Sequence, residues 1–237
     1  MEKIKKYFLG FGLILFSLII LSGCTNTQKN QTSSNEYVID QSDFVNGNRL
    51  IEEIPKSQLD NNEIIGLVLM REEEKLARDV YTTLGEKWGI KIFTNIAQSE
   101  QTHMDTIKFL LNRYEIEDPV KDDSVGVFTS QEMSELYNNL VEKGNGSLLG
   151  ALIVGATIED LDIKDLNKLS AETDNDDIII AYDNLNRGSR NHLRAYIRQI
   201  NRNGGDYVPQ YISQLEFDNI ISSKQERGTN SPYNSNN

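Results

Sequence analysis

Residues 93–114 read FTNIAQSEQTHMDTIKFLLNRY, and within them Phe93, Ile96, Glu100, His103, Ile107, Leu110 and Tyr114 recur at alternating spacings of three and four. That alternation marks one face of a helix. The face is apolar except at its centre, where Glu100 and His103 sit one turn apart. A carboxylate and an imidazole aimed into an apolar seam are costly to bury unless something binds them, and a metal ion is the usual partner for such a pair. Further ligands are therefore expected on other helices.

Working outward, this helix is expected to open at a Thr94 cap and to end near Glu115, before Asp118-Pro119. On its N-terminal side, Ser57 follows Pro55 as a cap, and Ile65, Leu69, Leu76, Val80 and Leu84 repeat at helical spacing up to Gly89. At about 100° per residue, Glu73 falls inside that apolar stripe, while Glu72 and Glu74 are expected on a solvated face. Beyond Pro119 lies a connection too long for a hairpin. It carries a short amphipathic helix from Thr129 or Ser130 (Met133, Leu136, Tyr137, Leu140) to Gly144-Asn145-Gly146, so the second and third long helices are joined by a crossover.

The third long helix begins near Ser147 and reads Leu149, Leu152, Ala156, Glu159, Ile163, Leu166, which puts Glu159 in an inward slot with Asp162 beside it. Residues 162–173 are expected to bend away before the polar break Asp174-Asn175-Asp176. The fourth shows Ile178, Tyr182, Leu185, Ser189, His192, Tyr196 and Ile200 and stops at Gly204-Gly205, so His192 also lies mid-stripe. Tyr114, Tyr182 and Tyr196 read as core rings on these stripes. A tail, residues 207–221, with Pro209, Ile212, Leu215, Phe217 and Ile220, is expected to return and cap the bundle. No strand pattern interrupts the region, so the fold class is all-α: a four-helix bundle with a crossover between the second and third long helices. The two histidines of the chain, joined by Glu73, Glu100 and Glu159 on separate helices, make a metal site the expected reading.

Composition narrows the chemistry. The 237 residues carry a formal net charge of −12. Setting aside residues 1–23, which hold Lys3, Lys5 and Lys6 against Glu2, leaves −14. Such an acidic chain is a poor partner for nucleic acid, whereas its surface concentrates cations. A single cysteine, Cys24, excludes an intrachain disulfide and a thiolate cluster, leaving oxygen and nitrogen ligands.

Residues 1–23 have a lysine-bearing start, an apolar run from Tyr7 to Leu21 and a small-residue end, the three parts of a secretory signal. Leu21-Ser22-Gly23-Cys24 resembles the lipobox of bacterial lipoproteins, in which the cysteine becomes the lipidated first residue of the mature chain. Residues 24–56 are then expected to be a lipidated Cys24, a polar tether to about Asn35 and an arm packing on the domain; 57–221 form the domain, and 222–237 a frayed tail. The localisation expected from this is the extracytoplasmic face of the cell membrane, with the lipid bilayer as a partner through Cys24.

From about Ser57 to Gly205 the chain resembles the ferritin-like superfamily of carboxylate-bridged di-iron bundles. More narrowly, Met70 to Tyr81, Ser99 to Met104, Ile158 to Ile163 and Gly188 to Leu193 are similar to the DUF2202 family of ferritin-like proteins. The superfamily pattern places one Glu on each of two helices and Glu-x-x-His on each of the others. Carried over, it makes Glu73 and Glu159 the single carboxylates and Glu100 and His103 the first pair, with His192 in the second. This chain has Ser189 where the second bridging Glu belongs. Glu100 is thereby the one inherited bridge, and Asp162, three residues after Glu159, is placed to stand in. The resemblance implies iron, di-iron or mononuclear, although manganese and zinc accept the same ligands. It also implies an iron-dependent oxidase or peroxidase; the competing reading is a lipoprotein that binds metal without turnover or keeps the bundle as a scaffold. A closed storage cage is disfavoured, because an anchor and tether suit a small assembly at a membrane, with a homodimer among the options.

Overall fold

The structure, a computed structural model, describes residues 49–227. The expected signal segment, Cys24, the expected tether, most of the expected arm and the end of the tail lie outside the described residues. A helical turn at 49–53 precedes six longer helices: α1 Asn61–Trp88, α2 Lys91–Arg113, α3 Gln131–Asn145, α4 Leu148–Ala171, α5 Asp176–Arg202 and α6 Gln214–Ser222. There is no strand among the described residues, and none of their helices is long and apolar enough to cross a membrane.

The caps explain most boundaries. Asp60, not Ser57, opens α1: its carboxylate accepts from the backbone of Asn62 and Glu63, while Glu63 accepts from the Asp60 N–H, a reciprocal box that satisfies otherwise orphaned donors. Gly89, at φ 64°, closes the helix in the left-handed conformation. Only Ile90 then separates it from α2, so α2 starts three residues before the expected Thr94 cap and runs antiparallel to α1. The hairpin is tight, since a Cβ on Gly85 would stand 3.1 Å from that of Phe93. Ser130 and Ser147 cap α3 and α4 as expected.

Two antiparallel hairpins, α1–α2 and α4–α5, pack with α1 beside α4 and α2 beside α5. The crossover α3 returns the chain to the end of the bundle where α1 stops: Trp88 Nε1 donates to Gly144 O (3.0 Å) and Lys87 Nζ to Asn145 O (2.8 Å). The expected bend at residues 162–173 is absent, and α4 continues to Ala171. Leu166 and Leu169 in that stretch are buried with Leu67, Met70, Ile107, Leu110, Ile178 and Leu185, and Ile51 and Ile54 of the arm join the same core. Burial of each such side chain is worth ~1.5–3 kcal/mol, enough to hold α4 straight across a polar stretch.

The outer side of α1 departs most from expectation. Leu69 to Tyr81 is buried on every face, because residues 115–128 wrap over the side that periodicity leaves to solvent. The wrap is held by charge. Arg71 forks onto Asp118 (3.1 Å to each oxygen), Arg78 reaches Asp123 (2.8 Å), and Lys75 donates to Ser124 O (2.9 Å). Asp79, fully buried, accepts from Lys75, from two nitrogens of Arg78 and from the Gly126 N–H. Behind α5, the tail returns as expected. Asp160 anchors it by accepting from Tyr207 and from the backbone of Gln210, Tyr211 and Ile212. Phe217 and Ile220 are buried, but Leu215, expected inside, is 72% exposed.

Candidate metal centre

Each of the four long helices brings acidic or imidazole groups to the bundle's middle. On α2, α4 and α5 the residues are those the stripes mark: Glu100 and His103, Glu159, and His192, all fully buried. On α1 the inward residue is Glu74. Its seam is Leu67, Met70, Glu74, Ala77, Tyr81, Leu84, again spaced by three and four and each no more than 1% exposed. The expectation of a solvated Glu74 is therefore corrected, as is that for Glu72, which is buried too. Leu69, Leu76 and Val80 are buried as well, so α1 offers two apolar stripes, and the cluster takes its carboxylate from the one containing Glu74.

Glu74, Glu100 and His103 form one group and Glu100, Glu159 and His192 a second, each with its ligand atoms within 4.8 Å of one another. Glu100 is common to both. Its Oε2 lies 2.6 Å from His103 Nδ1 and its Oε1 2.8 Å from His192 Nδ1. His103 Nδ1 is 3.1 Å from Glu74 Oε2, and His192 Nδ1 is 3.3 Å from Glu159 Oε2. The two rings stack at 5.6 Å. Asp162 is buried within electrostatic reach of Glu74, Glu159, Glu73 and Glu100, outside both groups. Glu73 is buried but belongs to neither.

Three residues support the cluster; Tyr81 and Ser99 escaped the sequence reading, whereas Gly188 beside Ser189 read there as permitting either a kink or a close helix approach, and the approach is what is found. Tyr81 donates to Glu159 Oε1 (2.6 Å) and packs between Phe93 and Tyr196, at centroid distances of 6.4 and 5.5 Å. Ser99 Oγ is 3.0 Å from His192 Nε2. Gly188 lies against His103, where a Cβ would fall 2.5 Å from Nε2; the glycine is required for close approach. Tyr81 could have been found, since it follows Glu74 by seven residues on the true seam. Ser99 carries no such signal, and Gly188 signals close approach without its partner, because which ring of another helix lands on them is a tertiary matter.

The electrostatics follow from burying these groups together. Burial pushes the Glu74 and Glu159 carboxyls up to about 7, although the nearby histidines pull them back. Burial acts against Glu100 as well, but His192 and His103 outweigh it and hold that carboxyl well below the usual range. Burial likewise opposes the charged form of His103, and Glu74 and Glu100 overcome it, raising the ring to about 9. Burial, with Glu74 adding to it, pushes Asp162 well above an ordinary aspartate. Glu74 Oε1 has no hydrogen-bond partner among the described residues. Three buried carboxyl groups, Glu74, Glu100 and Glu159, gather around two imidazoles, and these hard oxygen and imidazole donors could hold a divalent cation.

This chain belongs to the family described as an uncharacterized protein domain (DUF2202), whose model matches residues 63–224. All residues of the cluster lie inside that match. Among its relatives is an uncharacterized protein of Methanocaldococcus jannaschii, MJ0754, 58% identical over 180 residues that cover 76% of this chain and 97% of that protein. The crystal structure of that hypothetical protein resembles the present one with a TM-score of 0.72, over 73% of this chain and 99% of the other.

Proposed function

We propose that this chain is a lipid-anchored, extracytoplasmic ferritin-like protein whose Glu/His cluster binds a pair of iron ions for oxidase or peroxidase chemistry. The observation that carries the reading is the sharing of Glu100: its two oxygens face the Nδ1 atoms of two different histidines, each backed by a further glutamate. Glu74, Glu100 and His103 would hold one ion; Glu100, Glu159 and His192 would hold the other. Iron bound there would pass electrons from an external donor to dioxygen or peroxide.

The chain's own residues orient and insulate the site. With an ion on Nδ1, the His192 proton would sit on Nε2 and donate to Ser99 Oγ, 3.0 Å away, which would fix tautomer and ring together. Tyr81 occupies Glu159 Oε1 and leaves Oε2 turned toward His192. Glu74 and Glu159, with carboxyls near 7, would release their protons on binding a cation. Phe93, Tyr81 and Tyr196 close one end of the cluster with buried rings and keep water out.

One observation favours a second reading, a metal-binding or scaffold lipoprotein without turnover. Ser189 stands where the superfamily has its second bridging Glu, and its hydroxyl donates to Leu185 O of its own helix (3.2 Å). Anaerobic loading with Fe(II) followed by oxygen separates the two. With excess Fe(II) or another electron donor present, repeated oxygen consumption supports the oxidase, and stoichiometric binding without turnover supports the binder. If the chain takes up no Fe(II), and Glu100→Ala and His103→Ala change nothing, both metal readings fail. Manganese and zinc suit the same donors, so elemental analysis belongs with the loading. The anchor rests on Leu21-Ser22-Gly23-Cys24 and the polar stretch after it. Cys24→Ala should move the chain from the membrane fraction to the aqueous one; an unchanged distribution would sink the anchor.

A further inference from the structure

Five of the ten arginines of the chain lie on α5, at positions 187, 190, 194, 198 and 202, spaced by three and four. At about 100° per residue they share one face, and the inward stripe through Tyr182, Leu185, Ser189, His192 and Tyr196 lies opposite. A row of guanidiniums turned away from the cluster has no part in holding a cation. What such a row can hold is visible at its middle, where an acidic residue is already seated.

The segment after α6 crosses the row there and places Glu226 between two of the arginines. Arg190 forks onto its carboxylate, Nε to Oε1 (2.9 Å) and Nη2 to Oε2 (2.5 Å), and Arg194 Nη2 donates to Oε1 (2.8 Å). Asn191 engages the peptide itself: its Nδ2 donates to Glu226 O and its Oδ1 accepts from the Glu226 N–H, both at 3.0 Å. Arg194 Nη1 also donates to Asn191 Oδ1 (2.9 Å), which fixes the orientation of the amide. Two guanidiniums thus bracket a carboxylate while one amide pairs with both backbone groups of the same residue, a donor set suited to an acidic residue in a non-helical segment.

In the sequence this grip is Arg190-Asn191-x-x-Arg194, and eight residues further on α5 repeats it as Arg198-Gln199-x-x-Arg202. The spacings are the same, and glutamine carries the same terminal amide as asparagine. Here the donors are open. Arg198 and Arg202 are exposed and Gln199 is half-buried, and none of the three side chains has a hydrogen-bond or ion-pair partner among the described residues. The helix dipole favours a cation in the last turn and so accounts for Arg202. It does not account for Arg198, a turn earlier, where partial burial and then the like charges of Arg202 and Arg194 act against the guanidinium and lower its pKa. On a chain with a net charge of −12, two neighbouring guanidiniums without an acid are not explained by a shortage of carboxylates.

We propose that Arg198, Gln199 and Arg202 form a second grip of the same kind, which takes an acidic residue in a non-helical segment of a partner protein. The occupied copy defines the chemistry of the occupant: a carboxylate between the guanidiniums, with the backbone N–H and C=O of the same residue on the Gln199 amide. The site lies on the face of α5 opposite the cluster and does not depend on metal there.

The test is an NMR titration of the full chain, isotope-labelled at its arginines, with an end-capped peptide Gly-Ser-Gln-Glu-Ser-Gly and with the same peptide carrying Gln in place of Glu. The Nε–H signals of Arg198 and Arg202 should move with the Glu peptide, and the Gln peptide should bind about tenfold or more weakly, as loss of a charge-assisted pair requires. Arg198→Gln, at an exposed position, should weaken binding followed at Arg202 by a similar factor while Tm stays that of the unaltered chain. Shifts confined to Arg190 and Arg194 would mean that the peptide only displaces Glu226, and would overturn the second grip. An equal response to both peptides, or none to either, overturns it as well. If phosphatidylglycerol vesicles move the Arg198 and Arg202 signals and the Glu peptide does not, the row meets an anionic lipid surface and the peptide proposal fails.

Discussion

Helices α1 and α2 give the cluster Glu74, Glu100 and His103, whereas α4 and α5 give it Glu159 and His192, with Ser189 standing where α2 has Glu100. The halves match residue by residue around their histidines. Ser99 precedes Glu100 as Gly188 precedes Ser189, and each of these small residues meets the histidine of the opposite half. The means differ: Ser99 holds His192 by a hydrogen bond, and Gly188 holds His103 by leaving it room. A repeated layout thus carries unequal chemistry, because the bridge and the polar support for the opposite ring both come from α2.

Removing the bridge should break the comparison most severely. Glu100→Ala takes away the one carboxylate common to both groups and leaves two imidazoles without it. Loss of affinity at both positions should exceed the roughly 10–100-fold typical of supporting residues. Calorimetric titration with Fe(II) under anaerobic conditions checks it, and two tightly bound ions per altered chain would contradict the shared-bridge reading.

The next effect is one of pH and belongs to Glu74 and Glu159, one from each half. Both carboxyls titrate near 7 in the fold against 4.5 ordinarily, so the folded chain keeps protons that the unfolded chain has released. Their contribution to stability is complete below pH 4.5 and is lost as pH rises through 7. His103, raised from 6.5 to about 9, adds a loss between those values. Glu100, lowered instead, has its contribution complete above pH 4.5 and does not oppose the trend there. The metal-free chain should be less stable at pH 8 than at pH 5, by an amount on the order of a few kcal/mol. Thermal unfolding across that range measures it; metal loading should flatten the slope, and stability rising with pH in the metal-free chain would count against the assignment.

Gly188→Ala sharpens the contrast in how the rings are held. Helix propensity alone favours alanine by about 1 kcal/mol. The new Cβ, 2.5 Å from His103 Nε2, should reverse that into a loss of roughly 1–3 kcal/mol by overpacking. A raised Tm would show that the ring can move aside. Ser99→Ala should be mildest: about 1 kcal/mol of stability and about tenfold in metal affinity, read by denaturant unfolding and competition titration. Unchanged affinity would mean that His192 does not need its hydroxyl partner.

Much of the bundle was legible in the chain. The alternation from Phe93 to Tyr114, the serine caps at 130 and 147 and Gly89 are local features whose physics acts within a turn or two. Glu100, His103, Glu159 and His192 were legible because each interrupts an apolar stripe whose members recur at spacings of three and four. On α1 this logic failed. The wrap of residues 115–128 covers its outer side and satisfies Arg71, Lys75, Arg78 and Asp79, so charge ceases to mark solvent and Glu73 was preferred to Glu74. The expected bend after Asp162 failed similarly, because long-range packing of Leu166 and Leu169 overrides a polar local sequence.

By itself the sequence determined that the chain is helical, where most helices begin and end, and that carboxylates and imidazoles share the inner faces of α2, α4 and α5. Those outcomes follow from spacing and capping, which neighbours along the chain decide. The tertiary structure alone decided that Glu74 joins the cluster, that Glu100 divides its two oxygens between two histidines, and that Tyr81, Ser99 and Gly188 support them. Each of those facts depends on the rotation of one helix against another, which is set by everything that packs around it.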